Sequence, residues 1–474
     1  MPTPNLSPSE FDHYWLTNAH IPVALLSQVN AEIAARQTRE GLVCANLEIR
    51  DGTIAQILSV ETPFPETLPE PMNAIDVRRG IVFPCFVDLH THLDKGHIWE
   101  RSPNLEGTFD RALAIVQADC KERWNGEDVY RRMEFGLKCS YAHGTKAIRT
   151  HIDSFGEQAA ISFGAFKTLQ TEWTDRLILQ AASLVSLDYF LTPDGEKLAD
   201  LVAEVDGILG GIAYMNDELE IQLDRVFTLA KERNLNLDFH TDESGNPNDI
   251  TLRHVAMAAI RHQFSGQIVC GHCCSLGMQS AEEVMTTMEW VKQARIGIVS
   301  LPMCNLYLQD RDQQVSRYFT PSPHPSIPPS PQTPRWRGVT LAHELKQFGI
   351  PIAFASDNCR DPFHAFGDHD GLEVFTQATR IVQLDSPYGE WCRSVTTTSA
   401  DLMELSTVGR IGIGLPADLV IFRARYFSEL LSRHQHDRVV LRDGKAIDTT
   451  LPDYAELDDL LIMGNGEWVK SFHL

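Results

Sequence analysis

Short apolar runs that end in ionisable residues recur along this chain. Gly80-Ile81-Val82-Phe83-Pro84-Cys85-Phe86-Val87 passes directly into Asp88-Leu89-His90-Thr91-His92-Leu93-Asp94-Lys95. Leu235-Asn236-Leu237-Asp238-Phe239 leads to His240-Thr241-Asp242-Glu243, and Gln267-Ile268-Val269-Cys270-Gly271 leads to His272. Pro351-Ile352-Ala353-Phe354-Ala355 leads to Ser356-Asp357-Asn358. Apolar runs of this length with polar bounds read as buried strands. Eight such segments, 81–89, 147–152, 177–184, 210–215, 235–239, 267–271, 296–301 and 351–356, alternate with amphipathic helical stretches such as 128–143 and 217–232. Strand–helix alternation with the chemistry at the carboxyl ends of strands predicts an α/β fold, a (β/α)8 TIM barrel.

The pattern changes at both ends. Between Tyr14 and Arg78 it gives short strands and one short helix, with Asp51-Gly52 as a hairpin turn between 42–50 and 54–58. Segments 414–422 and 439–445 are strand-and-turn in the same style. Residues 1–79 and 406–474 are therefore expected to build one small β domain beside a barrel at 80–405. The stretch 320–334 is dense in Pro and Ser, which excludes a regular helix or central strand. Two readings stand side by side: a long loop after strand seven at the barrel's active face, or a disordered insertion without function.

Composition narrows the function classes. The chain has 474 residues, 43% of them hydrophobic and 22% charged, as a globular chain does. Asp+Glu exceed Lys+Arg by 64 to 41, a net charge of −23 with no basic stripe, which argues against nucleic acid and anionic membrane as partners. No run of about 18 apolar residues appears, so no membrane span is expected. Met1 to Asp12 lacks a signal-peptide pattern, and the ten cysteines are scattered, as in a reducing cytoplasm.

His90 and His92 stand one residue apart at a strand end, where alternate residues share a face. Together with His240 and Asp357 they make a set of three imidazoles and a carboxylate suited to one divalent ion, zinc or ferrous iron. Singly, His240 reads as a core histidine and Asp357 as a helix cap; the three segments gain weight by ending different strands. No lysine occurs from Leu198 to Ala230, which argues against a lysine-bridged pair of metals and for a mononuclear site. Glu243, three residues past His240, is placed to shuttle protons. His272 ends strand six and is a candidate to hydrogen-bond the water or act as a base; Asp357 has a second candidate role as proton acceptor. His151 and Asp153 end strand two, with His151 expected to support or line the pocket. Cys270-Gly271-His272-Cys273 carries a Cys-x-x-Cys pair, but at a strand end in a long chain it is a poor redox centre. The His-x-Glu with Pro-Cys-x-x-Cys signature of the other zinc deaminase fold is absent.

On these residues the chain resembles the cytosine deaminase-like branch of the amidohydrolase superfamily. The resemblance runs from about Gly80 to Gly367. It includes His90-Thr91-His92-Leu93-Asp94, Asn104 with Gly107-Thr108, Arg149-Thr150-His151-Ile152-Asp153, His240-Thr241-Asp242-Glu243, His272, and Ser356-Asp357-Asn358 followed by Asp361-Pro362-Phe363. It implies a metal-dependent hydrolytic deaminase. The metal would be held by His90, His92, His240 and Asp357, with a metal hydroxide attacking the amino-bearing carbon of a pyrimidine-like ring and ammonia leaving. Glu243 would protonate a ring nitrogen, while His272 and Asp357 would handle the water's proton. Ser186, His151, Asn358 and Phe363 are the expected substrate contacts. Val185-Ser186 stands where cytosine deaminase has a base-reading glutamine, and Asn358 replaces the second of paired aspartates in some members. Both changes surround the substrate rather than the metal, and a changed edge reader suggests a changed ring; deamination of a pyrimidine-like amino-heterocycle, cytosine or a close analogue, is the first expectation. Hydrolysis of another C–N bond, in an N-alkylamino triazine or a cyclic amide, is the second, and an inactive barrel acting as a binding protein the third. The expected partner is a small N-heterocycle, and a homo-oligomer is compatible with the chain.

Overall fold

The computed structural model describes residues 11–28, 31–63, 73–311 and 333–461. Eight strands form its centre: β1 (Phe86–Thr91), β2 (Thr145–Asp153), β3 (Ile178–Leu184), β4 (Leu209–Ala213), β5 (Leu237–Thr241), β6 (Ile268–His272), β7 (Gly297–Ser300) and β8 (Ile352–Phe354). β1 to β3 pair in parallel, as do β4 to β8. Bridges Ala182↔Ile208 and Ser186↔Ile212 join β3 to β4, and Thr91↔Asp357 joins β1 to the segment after β8. The ring so closed is the expected TIM barrel.

Local signals explain how helices feed strands. Asn125 caps the helix Gly126–His143 by accepting from the Glu127 and Asp128 N–H groups, and Gly144 at φ 94° ends it. A left-handed residue there is cheap only for glycine, and it lets β2 start at the next residue. Along β2, Ala147, Arg149 and His151 point into the barrel. Ala147 joins Val87, Leu89, Val269, Val299 and Ala353 in an interior cluster that Ala400, Leu402 and Met403 complete. The Arg149 guanidinium donates to Asp238 Oδ2 at 2.8 Å and to Gln180 Oε1 at 2.9 Å, which neutralises a charge that could not otherwise be buried.

The run 81–89 is not one strand. Val82–Pro84 leaves the barrel and pairs antiparallel with Leu419–Ile421, in a sheet that adds Val439–Arg442 and Lys445–Ala446. The Cys85 N–H donates to Asp418, and the next N–H, of Phe86, donates to Gly144 at the foot of β2. Hydrogen-bond partners therefore change sheet between consecutive residues, which an unbroken apolar run does not reveal. β1 also shifts register between Asp88 and Thr91. Below that irregularity Val87 and Leu89 face the interior; above it His90 and His92 do.

The other flanking sheet has His13–Pro22 between Leu42–Arg50 and Ala74–Asp76, with Thr53–Ser59 outermost. Asp51 and Gly52, at φ 49° and 79°, make the expected two-residue hairpin turn. Leu16, Ile21, Val43 and Leu47 pack with Val82, Ile411, Leu419 and Leu441, so both chain ends share one apolar cluster. Of the Pro- and Ser-rich stretch 320–334, residues 320–332 lie outside the described residues. Among the described residues, no helix is long and apolar enough to cross a membrane.

Candidate active site

Four side chains from three strand ends converge at the carboxyl mouth of the barrel. His90 Nε2 and His92 Nε2 lie 3.5 and 3.2 Å from Asp357 Oδ1, and His240 Nε2 lies 3.4 Å from His92 Nε2. All four side chains are buried. Asp357 reaches them through a left-handed backbone at φ 62°, pinned by its N–H donating to the His90 carbonyl at 2.9 Å. That conformation costs about 1–3 kcal/mol for a residue with a Cβ, and it turns the carboxylate into the barrel. Burial works against the Asp357 charge, but His90 and His92 hold its carboxyl well below the usual range. His240 is held well below its usual value by burial and then by the neighbouring imidazoles. His90 Nε2 and both Asp357 oxygens are buried without a hydrogen-bond partner. Three imidazoles and a carboxylate, within about 3.5 Å of one another, fit a divalent ion with nitrogen and oxygen ligands.

His272 and Glu243 form a second group beside these. His272 ends β6 at φ 67°, which breaks the strand's alternation and swings the ring toward His240, 5.0 Å between centroids. Asn305 Nδ2 donates to His272 Nδ1 at 3.0 Å and to Glu243 Oε1 at 3.2 Å. The ring proton then resides on His272 Nε2. Burial lowers the His272 pKa to about 3, so the ring is neutral near pH 7. Glu243 is pushed well above the carboxylate range by burial and then by the Asp357 charge, with Lys95 pulling the other way. Its loop is anchored by Asp242, left-handed at φ 53°, whose carboxylate accepts from Thr251 and Leu252 at the start of the helix Thr251–Arg261.

The expected substrate contacts divide. His151 is fully buried behind His90, ring centroids 3.9 Å apart, with Nε2 3.2 Å from Asp238 Oδ1. Its ring also lies 4.9 Å from that of His240 and 5.5 Å from that of His92, and it offers a nitrogen within 4.8 Å of those of His90 and His92. Asn358 spends its amide on Asp361 Oδ2 at 2.7 Å, and its oxygen accepts from the Cys304 thiol. Phe363 lies under Lys95 Nζ, 5.2 Å from its ring centroid, and against the edge of Phe109. Ser186 is half-buried and donates its hydroxyl to Asp188. Cys270 and Cys273 are free, buried thiols, pushed up by burial, which is the opposite of a reactive dithiol.

Three participants escaped the sequence reading. Asn305 lies in the helix Pro302–Leu308 just past β7; the Ser300-Leu301-Pro302 strand end with a helix-starting proline marks where to look. Asp238 stands two before His240, so the period of two places it on the same face. Lys95 is buried in an ion pair with Asp153, Nζ to Oδ1 2.8 Å, a pairing no local pattern announces.

Comparison with known proteins places the whole chain. Residues 202–447 match the model of an amidohydrolase family. A pterin deaminase of Rhizobium rhizogenes is 44% identical over 459 residues, 96% of this chain and 98% of that protein. The chain belongs to the amidohydrolase family. An N-isopropylammelide isopropyl amidohydrolase of Pseudomonas sp. strain ADP is 24% identical to this amidohydrolase over 379 residues, 78% of this chain and 85% of that one. Among solved structures, a 5-methylcytosine deaminase of Klebsiella pneumoniae bound to 5-fluorocytosine superposes with a TM-score of 0.73 at 22% identity, covering 91% of this amidohydrolase and 97% of that chain. At that identity the likeness speaks for the shared fold.

Proposed function

We propose that this amidohydrolase is a metal-dependent hydrolytic deaminase of a fused amino-oxo N-heterocycle of the pterin type. The observation that carries the chemistry is the convergence of His90, His92, His240 and Asp357 beside a Glu243–His272–Asn305 cluster. The ring class rests on the 44% identity, over nearly the whole chain, to a pterin deaminase. Cytosine, the first expectation, ranks second in this reading: Ser186 ties its short hydroxyl to Asp188 and offers no two-sided amide contact.

His90, His92, His240 and Asp357 would hold one divalent ion, zinc or ferrous iron. When bound, that ion supplies Lewis acidity, making water acidic enough to lose a proton near neutral pH. The residues around it divide the remaining work. His272 donates from Nε2 and orients the attacking water. Asp357 has an unpartnered oxygen and accepts the water's proton. Glu243, protonated because it is buried beside another carboxylate, donates to the ring nitrogen as water oxygen adds to the amino-bearing carbon. The C–N bond then breaks: ammonia departs with the proton taken from water, and the added hydroxyl returns its remaining proton to Glu243, which leaves an oxo group on the ring. Asn305 holds Glu243 and His272 in register with each other.

The test is ammonia release by the metal-loaded chain from pterin, cytosine, guanine and N-isopropylammelide. Pterin-type turnover should exceed cytosine turnover by at least about a hundredfold in kcat/KM, the discrimination a hydrogen-bonding pocket achieves. Isopropylamine release from N-isopropylammelide, with no ammonia from pterin, would move the reading to N-alkylamino hydrolysis. Inertness toward all of them after metal loading would leave a binding protein.

A further inference from the structure

A second group of soft donors lies outside the site above. His97, Cys359 and His369 are all buried, at 3%, 1% and 2% exposure, and each offers a ligand atom within 4.8 Å of the other two. Both His97 nitrogens and His369 Nε2 are buried without a hydrogen-bond partner. An unpaired buried imidazole costs free energy, so two rings in that state beside a thiol need a reason. The same signature marks His90 and Asp357.

The backbone holds this arrangement. His97 and His369 are left-handed, at φ 63° and 54°, a strain that persists only where surroundings enforce it. The His97 N–H donates to the Cys359 carbonyl at 3.1 Å, and Trp99 N–H to the Arg360 carbonyl at 2.9 Å. The segment after β1 is thus zipped to the segment after β8. The His369 ring approaches from a third position, its Nδ1 3.4 Å from Thr91 Oγ1. Thr91 sits between His90 and His92 but on the opposite face of the strand, so the cluster lies behind the candidate active site. His97 also lines a cavity of about 530 Å³ with Trp99, Glu100, Pro103, Arg360 and Tyr454, which gives an ion a route in.

We propose that His97, His369 and Cys359 form a second, structural metal site of the zinc class. Two imidazoles and a thiolate are borderline-to-soft donors, which select zinc over magnesium or calcium. Tetrahedral bonding at the usual zinc–nitrogen and zinc–sulfur lengths needs ligand atoms roughly 3.3–3.8 Å apart, so atoms that lie within 4.8 Å of one another would draw together on binding. The ion would clamp the loop after β1 to the loop that carries Asp357. This inference does not depend on the deaminase reading, because no substrate or reaction enters it.

The full-length chain, dialysed against zinc and then freed of excess, should carry about two ions per chain by elemental analysis. Cys359→Ser with His369→Gln should reduce this to about one, and His240→Ala should also leave about one, removed from the other site. With cobalt(II) in place of zinc, the native chain and His240→Ala should both show the near-ultraviolet thiolate-to-cobalt charge-transfer band, and Cys359→Ser should lose it. A native cobalt spectrum without that band overturns the proposal, whatever the ion count and even if the cysteine variant fails to fold. A band that survives Cys359→Ser overturns it too.

Discussion

Glu243 and His240 are three residues apart, yet their removal should fail in different ways. Glu243 touches the His272–Asn305 pair and none of the four converging ligand atoms. Glu243→Gln keeps the shape and removes the acid. Turnover should fall by roughly a hundredfold or more, as loss of a general acid does, with metal content unchanged. His240→Ala removes an imidazole whose Nε2 lies at the centre of the cluster, so metal and activity should disappear together. Measuring kcat and the metal-to-protein ratio on the same preparations separates the two. A fully active Glu243→Gln would strip that residue of its role, and a metal-replete His240→Ala would remove it from the ligand set.

At the scale of elements, what was legible followed local periodicity and what was not followed long-range contacts. Arg149 and His151, or Asp238 and His240, share a face because strands alternate, and that reads directly from sequence. The register shift between Asp88 and Thr91 that brings His90 inward does not, because it is set by pairing with a strand more than fifty residues away. Nor do the left-handed turns at His272 and Asp357, where surrounding strands impose a conformation that the residues' own preferences oppose. The half-legible case is Gly271. A strand glycine signals close approach, and here a Cβ would lie 3.0 Å from His90 Cε1 and 3.3 Å from its Nδ1. Gly271→Ala should therefore push the His90 ring off its position. The expected cost is about 1–3 kcal/mol in chemical denaturation, with a weaker affinity for metal in a competition titration. A variant with native stability and native metal affinity would mean that the ring has room to yield.

The molecule as a whole is joined by a buried charge cluster between the C-terminal segment and the barrel. Arg438, just before the strand Val439–Arg442, meets both Asp370 oxygens at 2.7 and 2.6 Å and also donates to the His143 carbonyl. Asp370 caps the helix Gly371–Val382, and His143 closes the helix Gly126–His143 with its ring 2.7 Å from Asp368. Arg438→Ala leaves Asp370 buried without its main cation and should cost about 3–5 kcal/mol. His143 adds a pH dependence. Burial opposes its charge, but Asp370 and Asp368 outweigh it and raise its pKa above the ordinary 6.5. A raised histidine stabilises the fold fully below the unfolded value, and the contribution is lost as pH climbs through the folded value. Asp370 has the opposite sign: Arg438 and His143 overcome its burial and hold it below 3.8, so its contribution is lost as pH falls. Melting temperature should thus decline on going from mildly acidic to alkaline pH in the native chain, and decline less in His143→Gln. Parallel melting curves for the two proteins across that range would show that His143 does not link protonation to the joint between the chain's end and its barrel.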